Sequence, residues 1–216
     1  MSSVEQEANP EREHNLASDH GEALARLREQ VAGAVHTPDS PSWDQVRTPW
    51  LVNVDQRPLA ILEAANEDDV ATAISWARAH QISVAAQGSG HGAGLDLTGA
   101  LLVRTRALTE ISVDRSRRTA RIGAGVTSAM LSEKLAGTGL AFLVGSHPGP
   151  SVVGLTLAGG LSWFGRAFGL GCDSIVSAVW DIPISGDRER TGLNAHGMPR
   201  FQLVDVPIDC LWPWDA

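Results

Sequence analysis

Apolar positions recur along this chain in two rhythms, and the change from one to the other marks out its elements. Leu24, Leu27, Val31 and Val35 fall on one face of a helix that Pro38 and Pro41 end, and a loop through Trp43 and Trp50 follows. The run Ala60, Ile61, Leu62 predicts a short strand. Asn66 then offers a capping oxygen, Glu67, Asp68 and Asp69 suit the positive end of a helix, and Val70, Ala73, Ile74 and Ala77 repeat at helical spacing. The pattern predicts a helix over about 67–80 and a second strand over 82–86. A strand, a helix and a strand so close in sequence favour a parallel pair with a right-handed crossover.

Further along, residues 100–105 and 110–125 read as strands, the last two joined by a tight turn at Arg115 to Arg118. Thr127 caps a short helix that ends near Gly137. A glycine-rich segment then runs from Gly145; at its centre Gly159 and Gly160 lead into a helical stretch with Trp163 and Phe164 that Gly169 stops. Ser174 to Trp180 reads as a strand. Beyond Trp180 the pattern leaves room for one hairpin, then a proline-punctuated ending with Trp212 and Trp214.

Composition narrows what these elements can do. The chain has 216 residues, 43% of them hydrophobic, enough for one domain with a real core or two small lobes. Its net charge of -8 supplies no broad basic field, so nucleic acid is disfavoured as a partner. No apolar run reaches bilayer length and none follows a basic leader, so the expectation is a cytoplasmic protein with no membrane partner. Cys172 and Cys210 are far apart and lack the paired spacing of zinc sites, so no metal is expected. Residues 1–20 form an acidic tail without apolar period.

Candidate chemistry gathers in two glycine-rich stretches. The first, "QGSGHGAG" at residues 87–94, begins where the second strand ends; the second runs from Gly145 through Gly160. Glycines let backbone N–H groups approach an anion, although glycine loops at strand ends also serve simple tight turns. Neither stretch has the spacing of a lysine-containing phosphate loop or of a dinucleotide fingerprint. His91 stands alone among the first glycines, where Gly90 and Gly92 leave room for something flat to reach its ring. Imidazole is a nucleophile able to bond an electrophilic carbon of a cofactor.

Three pieces, "RPLAILEAANEDDVATAISWARAHQISVAAQGSGHGAG", "GALLVRTRALTEISVDRSRRTARIGAGV" and "VVGLTLAGGLSWFGRAFGLGCDSIVSA", resemble in order and spacing the PCMH-type FAD-binding domain of the vanillyl-alcohol oxidase superfamily. The similarity is to its berberine bridge enzyme-like and 6-hydroxy-D-nicotine oxidase-like branch. It implies an α+β fold with a small parallel βαβ lobe and a second, incomplete lobe of mixed or antiparallel strands. The implied organisation is a tail (1–20), an N-terminal helix and loop (21–56), the FAD-binding domain (57–180) and a divergent C-terminal tail (181–216). It further implies FAD, with Gln87, Gly88, Ser89, Gly90, His91 and Gly92 around the pyrophosphate and His91 bonded to the 8α-methyl group of the flavin. Gly145, Ser146, Val153, Gly154, Thr156, Gly159 and Gly160 would supply contacts to the flavin and ribityl chain. The second stretch lacks the cysteine of bicovalent relatives, which leaves His91 the single anchor; Cys172 reads as a small buried apolar residue.

The implied activity is that of an oxidoreductase taking a hydride from a small alcohol, amine or sugar-like substrate and passing electrons to an acceptor such as O2. Two departures stand against a complete match. Gln87 replaces an arginine common in relatives and removes a charge near the pyrophosphate. After Val179 the family pattern stops, so the expectation is a chain cut short, with a non-catalytic FAD-binding remnant as the alternative. No serine sits in a hydrolase elbow. No catalytic base can be named; His147 and Asp173 are candidates by proximity alone, and turn or cap roles suit both. The face holding Val176, Val179 and Trp180 is expected to be exposed, open to aggregation or to an oligomeric partner.

Overall fold

The computed structural model describes residues 20–94, 96–179 and 202–207; the acidic tail over residues 1–19, Trp180, Trp212 and Trp214 lie outside them. Two four-stranded sheets organise the chain. The first has the order β1-β2-β4-β3 and contains β1 (Ala34–His36), β2 (Ala60–Glu63), β3 (Val84–Gln87) and β4 (Leu101–Arg104). β1 runs antiparallel to β2, while β2, β4 and β3 are parallel. The second sheet has the order β5-β6-β8-β7, with β5 (Ile111–Asp114), β6 (Thr119–Ile122), β7 (Ser177–Val179) and β8 (Gln202–Pro207), every pairing antiparallel. This is the expected α+β architecture, except that the parallel strands of the first lobe gain an antiparallel edge in β1.

The expected parallel pair is corrected in one respect: β2 and β3 are parallel but do not touch, because β4 lies between them. The side chains explain the order. Leu101, Leu102 and Val103 are buried on both faces of β4, as the centre of a parallel sheet requires, whereas β3 is half-exposed and takes the edge. One face of this sheet packs Leu62, Leu101 and Val103 against α1 (Gly21–Gln30) and α3 (Glu67–Ala79), through Leu24, Leu27, Val70, Ala73, Ile74 and Ala77. The other face packs Ile61 and Leu102 against Leu97 and against Trp43 and Val46 of α2 (Trp43–Arg47). Asn66 caps α3 as predicted, its side chain accepting from Asp69 N–H at 2.9 Å.

Other boundaries shift for identifiable reasons. The first helix stops at Gln30 and Val35 belongs to β1, because Gly33 presses onto β2: a Cβ there would lie 2.1 Å from the Glu63 carbonyl oxygen. Part of the loop from Trp43 to Trp50 is the short helix α2. The second lobe holds α4 (Ser128–Leu135), capped by Thr127 as expected, and α5 (Val152–Leu157), a helix inside what reads as a continuous glycine-rich loop. Trp163 and Phe164 precede α6 (Gly165–Phe168) rather than lying within it, and Gly169 ends it at φ 82°. A 3-10 turn over Gly171–Ser174 shortens the expected last strand to β7. Ala120, Ile122, Val126, Leu131, Leu135, Phe142, Val152 and Val153 form the core of this lobe. Cys172 is half-buried rather than buried. Val176 is exposed, as are Leu161 and Trp163.

Candidate functional site

The parallel strands aim the first glycine stretch at the second. β3 ends at Gln87, and residues 88–94 leave its carboxyl end as a loop without regular structure. Opposite, Ser151 caps α5, its hydroxyl accepting from Gly154 N–H at 3.2 Å and donating to the Ala124 carbonyl at 2.8 Å. The two stretches touch: Ser151 N–H donates to Ser89 Oγ at 3.4 Å, and a Cβ on Gly88 would lie 2.9 Å from that of Ser151. Between them lies a cavity of about 450 Å³, walled by Gln87 to Gly94 on one side and by Pro150, Ser151, Gly154, Leu155 and Ala158 on the other. A second cavity, of about 640 Å³, shares Gly88 and Ser89 with it and carries Trp50, Arg106 and Thr127.

The predicted residues distribute unevenly over this cleft. Gln87, Gly88, Ser89, Gly90, His91, Gly92 and Gly154 line the smaller cavity. Gly145, Ser146, Val153, Thr156, Gly159 and Gly160 are not among its lining residues. Val153 and Thr156 point to the lobe interior, and Gly160, at φ 71°, packs against Gly171. Gly145 faces the Leu155 side chain, while Ser146 and Gly159 are at the surface.

Around His91 the structure answers why glycine surrounds it. Gly90 adopts φ 79° and lies so close to Pro49 that a Cβ would meet it at 2.8 Å, whereas Gly92 opens onto free space. The flat group against the imidazole is Trp50, stacked at 3.8 Å between ring centroids and 15° between planes. Trp50 N–H also donates to the Ser89 carbonyl at 3.2 Å, tying the N-terminal segment to the loop. His147 stands 4.9 Å from His91, and its Nδ1 accepts from Gly149 N–H at 3.0 Å. His91 Nε2 is buried with no hydrogen-bond partner. Trp50 covers a face of the ring, and Gly149 stands against Nε2, where a Cβ would come within 3.0 Å. Asp173, the other proposed base, caps the 3-10 turn by accepting from Leu170 N–H at 3.0 Å.

Burial, and secondarily the neighbouring His147, holds the His91 pKa below its ordinary 6.5. The imidazole is therefore neutral and nucleophilic at pH 7. An unfolded chain takes up this proton first, so the corresponding stability is intact above pH 6.5 and is lost as the pH falls below it. Following the His91 ring protons by NMR will show a midpoint below 6.5, and His147→Asn will move it upward; a midpoint at or above 6.5 contradicts the geometry.

Three contributors escape sequence reading. Gln56 is buried and its Oε1 accepts from Gln87 Nε2 at 3.2 Å. Trp50 gives no periodic signal because its partner is remote in sequence. Arg104 reaches the Gln87 side chain from β4, and its signal was a charge inside the apolar run 100–105.

The fit of a flavin dinucleotide rests on these features: a glycine-bordered cradle, a few polar handles, apolar walls at Ala85, Leu97, Leu102 and Leu155, and one orphaned imidazole nitrogen. Among solved structures, 6-hydroxy-D-nicotine oxidase from Arthrobacter nicotinovorans superposes with a TM-score of 0.65 at 30% identity, over 71% of this chain and 34% of that one. Berberine bridge enzyme-like 28 of Arabidopsis thaliana is 31% identical over 180 residues, 72% of this chain and 34% of that protein. The uncharacterized FAD-linked oxidoreductase YgaK of Bacillus subtilis is 28% identical over 149 residues, 68% of this chain and 33% of that protein. The chain thus spans about a third of the length of the curated relatives it matches. No helix among the described residues is long and apolar enough to cross a membrane. The family model of the FAD binding domain matches residues 58–179, which hold β2 to β7 and both glycine-rich stretches, and the chain belongs to that family.

Proposed function

We propose that this chain binds FAD in the cleft between its two glycine-rich stretches, holds it through His91, and serves as the flavin-carrying part of an oxidoreductase. The observation that carries this reading is the buried, unpartnered Nε2 of an imidazole standing at the wall of a glycine-bordered cavity. Gln87 to Gly92 provide backbone and side-chain donors for the pyrophosphate, and Gly154 faces them. Gly145, Ser146, Val153, Thr156, Gly159 and Gly160 shape the opposite wall from behind. When bound, FAD supplies the two-electron chemistry that no side chain has.

His91 is the covalent anchor in this reading. The imidazole would hold the flavin by an N–C bond that replaces one hydrogen of the 8α-methyl group and the imidazole proton, with dioxygen as the oxidant, reduced to hydrogen peroxide. Trp50 holds the ring flat during that step. Trp50→Ala frees the imidazole to rotate and is expected to slow attachment about tenfold, with Trp50→Phe recovering much of the rate. The substrate class we assign is a small alcohol, amine or sugar-like compound that yields a hydride, with dioxygen as acceptor; the similarity to a nicotine oxidase supports an oxidase.

Incubating the purified chain with FAD and removing the excess by gel filtration tests the reading. A yellow protein whose colour stays with the acid precipitate supports it. A chain that remains colourless refutes it.

A further inference from the structure

We propose that Arg104 supplies the positive charge of the anion site, delivered to the FAD pyrophosphate through the side-chain amide of Gln87. The proposal rests on the FAD reading above and explains how the loop binds phosphate although Gln87 itself brings no charge.

Arg104 sits on the central strand β4 directly in register with Gln87 on β3, and it is 1% exposed. Its guanidinium donates to Gln87 Oε1 and to the carbonyls of Val46 at 2.9 Å and of Arg47 and Thr48 at 3.3 Å. None of these acceptors is a carboxylate, and Nε has no partner. Glu63, its register neighbour on β2, has its carboxylate engaged by His36 at 3.1 Å. The Glu63 charge attracts Arg104 but is shared with His36, and a buried charge compensated only in part is costly. Burial, with Arg106 nearby, pushes the Arg104 pKa down to about 10, which still leaves it charged at neutral pH.

The orientation of Gln87 follows from this contact. With Oε1 held by Arg104, its NH2 group turns the other way, toward Gln56 Oε1 and the cavity that both glutamines line. The amide is polarised with its positive end on the side of Gln56 and the cavity. A pyrophosphate in the loop 88–92 adds to the partial compensation Arg104 receives from Glu63, and because the guanidinium itself is closed to water the attraction is less screened than that of a surface charge.

The test compares FAD with riboflavin, which shares the ring but has no phosphate, in the His91→Ala background where both are held reversibly. Arg104→Met is expected to weaken FAD about tenfold or more and to leave riboflavin within about twofold. Gln87→Glu serves as the second variant: it places a carboxylate against Arg104, neutralises it inside a packed pair, and is expected to cause the same selective loss with the fold retained. If Arg104→Met does not fold, Gln87→Glu decides. Equal losses for the two flavins, or no loss for FAD, overturn the role of Arg104 while leaving the FAD site standing. Failure of the His91→Ala chain with Arg104 and Gln87 intact to bind either flavin overturns both readings together.

Discussion

His91→Ala yields a protein that binds FAD and gives all of it up on acid precipitation, whereas the unaltered chain keeps its colour in the pellet. The contrast is all-or-none because a covalent bond either exists or does not, and the expected loss is complete. The fold should survive: His91 lies in a loop at the cleft, and its main packing partner, Trp50, is itself half-exposed. Removing the imidazole also takes away the ring stacked on Trp50, so the change of indole emission as the pH falls below 6.5 should be smaller in the variant. Retention of acid-stable flavin by His91→Ala would move the anchor to another residue and end the assignment of this loop histidine.

Asp69→Ala is expected to be the most damaging single change to stability outside the apolar core. The carboxylate is 3% exposed and accepts from three backbone donors, Ala32 N–H at 2.7 Å, Gly33 N–H at 2.9 Å and Ala65 N–H at 2.8 Å. One side chain thus ties the end of the first helix, the start of β1 and the turn into α3. Alanine leaves those donors without acceptors in a site closed to water. The cost is about 3–5 kcal/mol, with an unfolding midpoint about 10 °C lower. Asp69→Asn keeps the size and one accepting oxygen, so it should fall between the two. A midpoint unchanged in Asp69→Ala would show that water reaches these amides.

Local physics was legible in the sequence, and long-range pairing was not. Asn66 and the apolar spacing of Val70, Ala73, Ile74 and Ala77 fix α3 within its own residues, and the structure reproduces that helix nearly to its ends. Thr127 and the turn at Arg115 to Arg118 are equally local. The insertion of β4 between β2 and β3 depends instead on which strand is apolar on both faces once helices cover the sheet, and nothing near Ala60 or Val84 records it. Asp69 shows the same division. Its charge near a helix start was visible, but its capture of Ala32 and Gly33 depends on β1 arriving beside α3. At the site, glycines advertised the cleft, and His91 stood out among them. Trp50 and Gln56 joined only through space, since each lies in a segment whose own pattern gives no reason to single it out, whereas Arg104 showed as a charge inside an apolar strand but not which residue it would reach. The helix α5 was hidden by Gly154 and by glycines on both sides, which lower helix propensity without forbidding a packed turn and a half.

The strand order also sets a timetable for assembly. On the ribosome, Gln87 and the loop carrying His91 are made before the strand that must lie between β3 and the rest of the sheet. Non-local parallel pairing is slow, and β3 has no neighbour until β4 arrives. The loop that borders the cleft therefore hangs from a strand that can join the sheet only once β4 has been made.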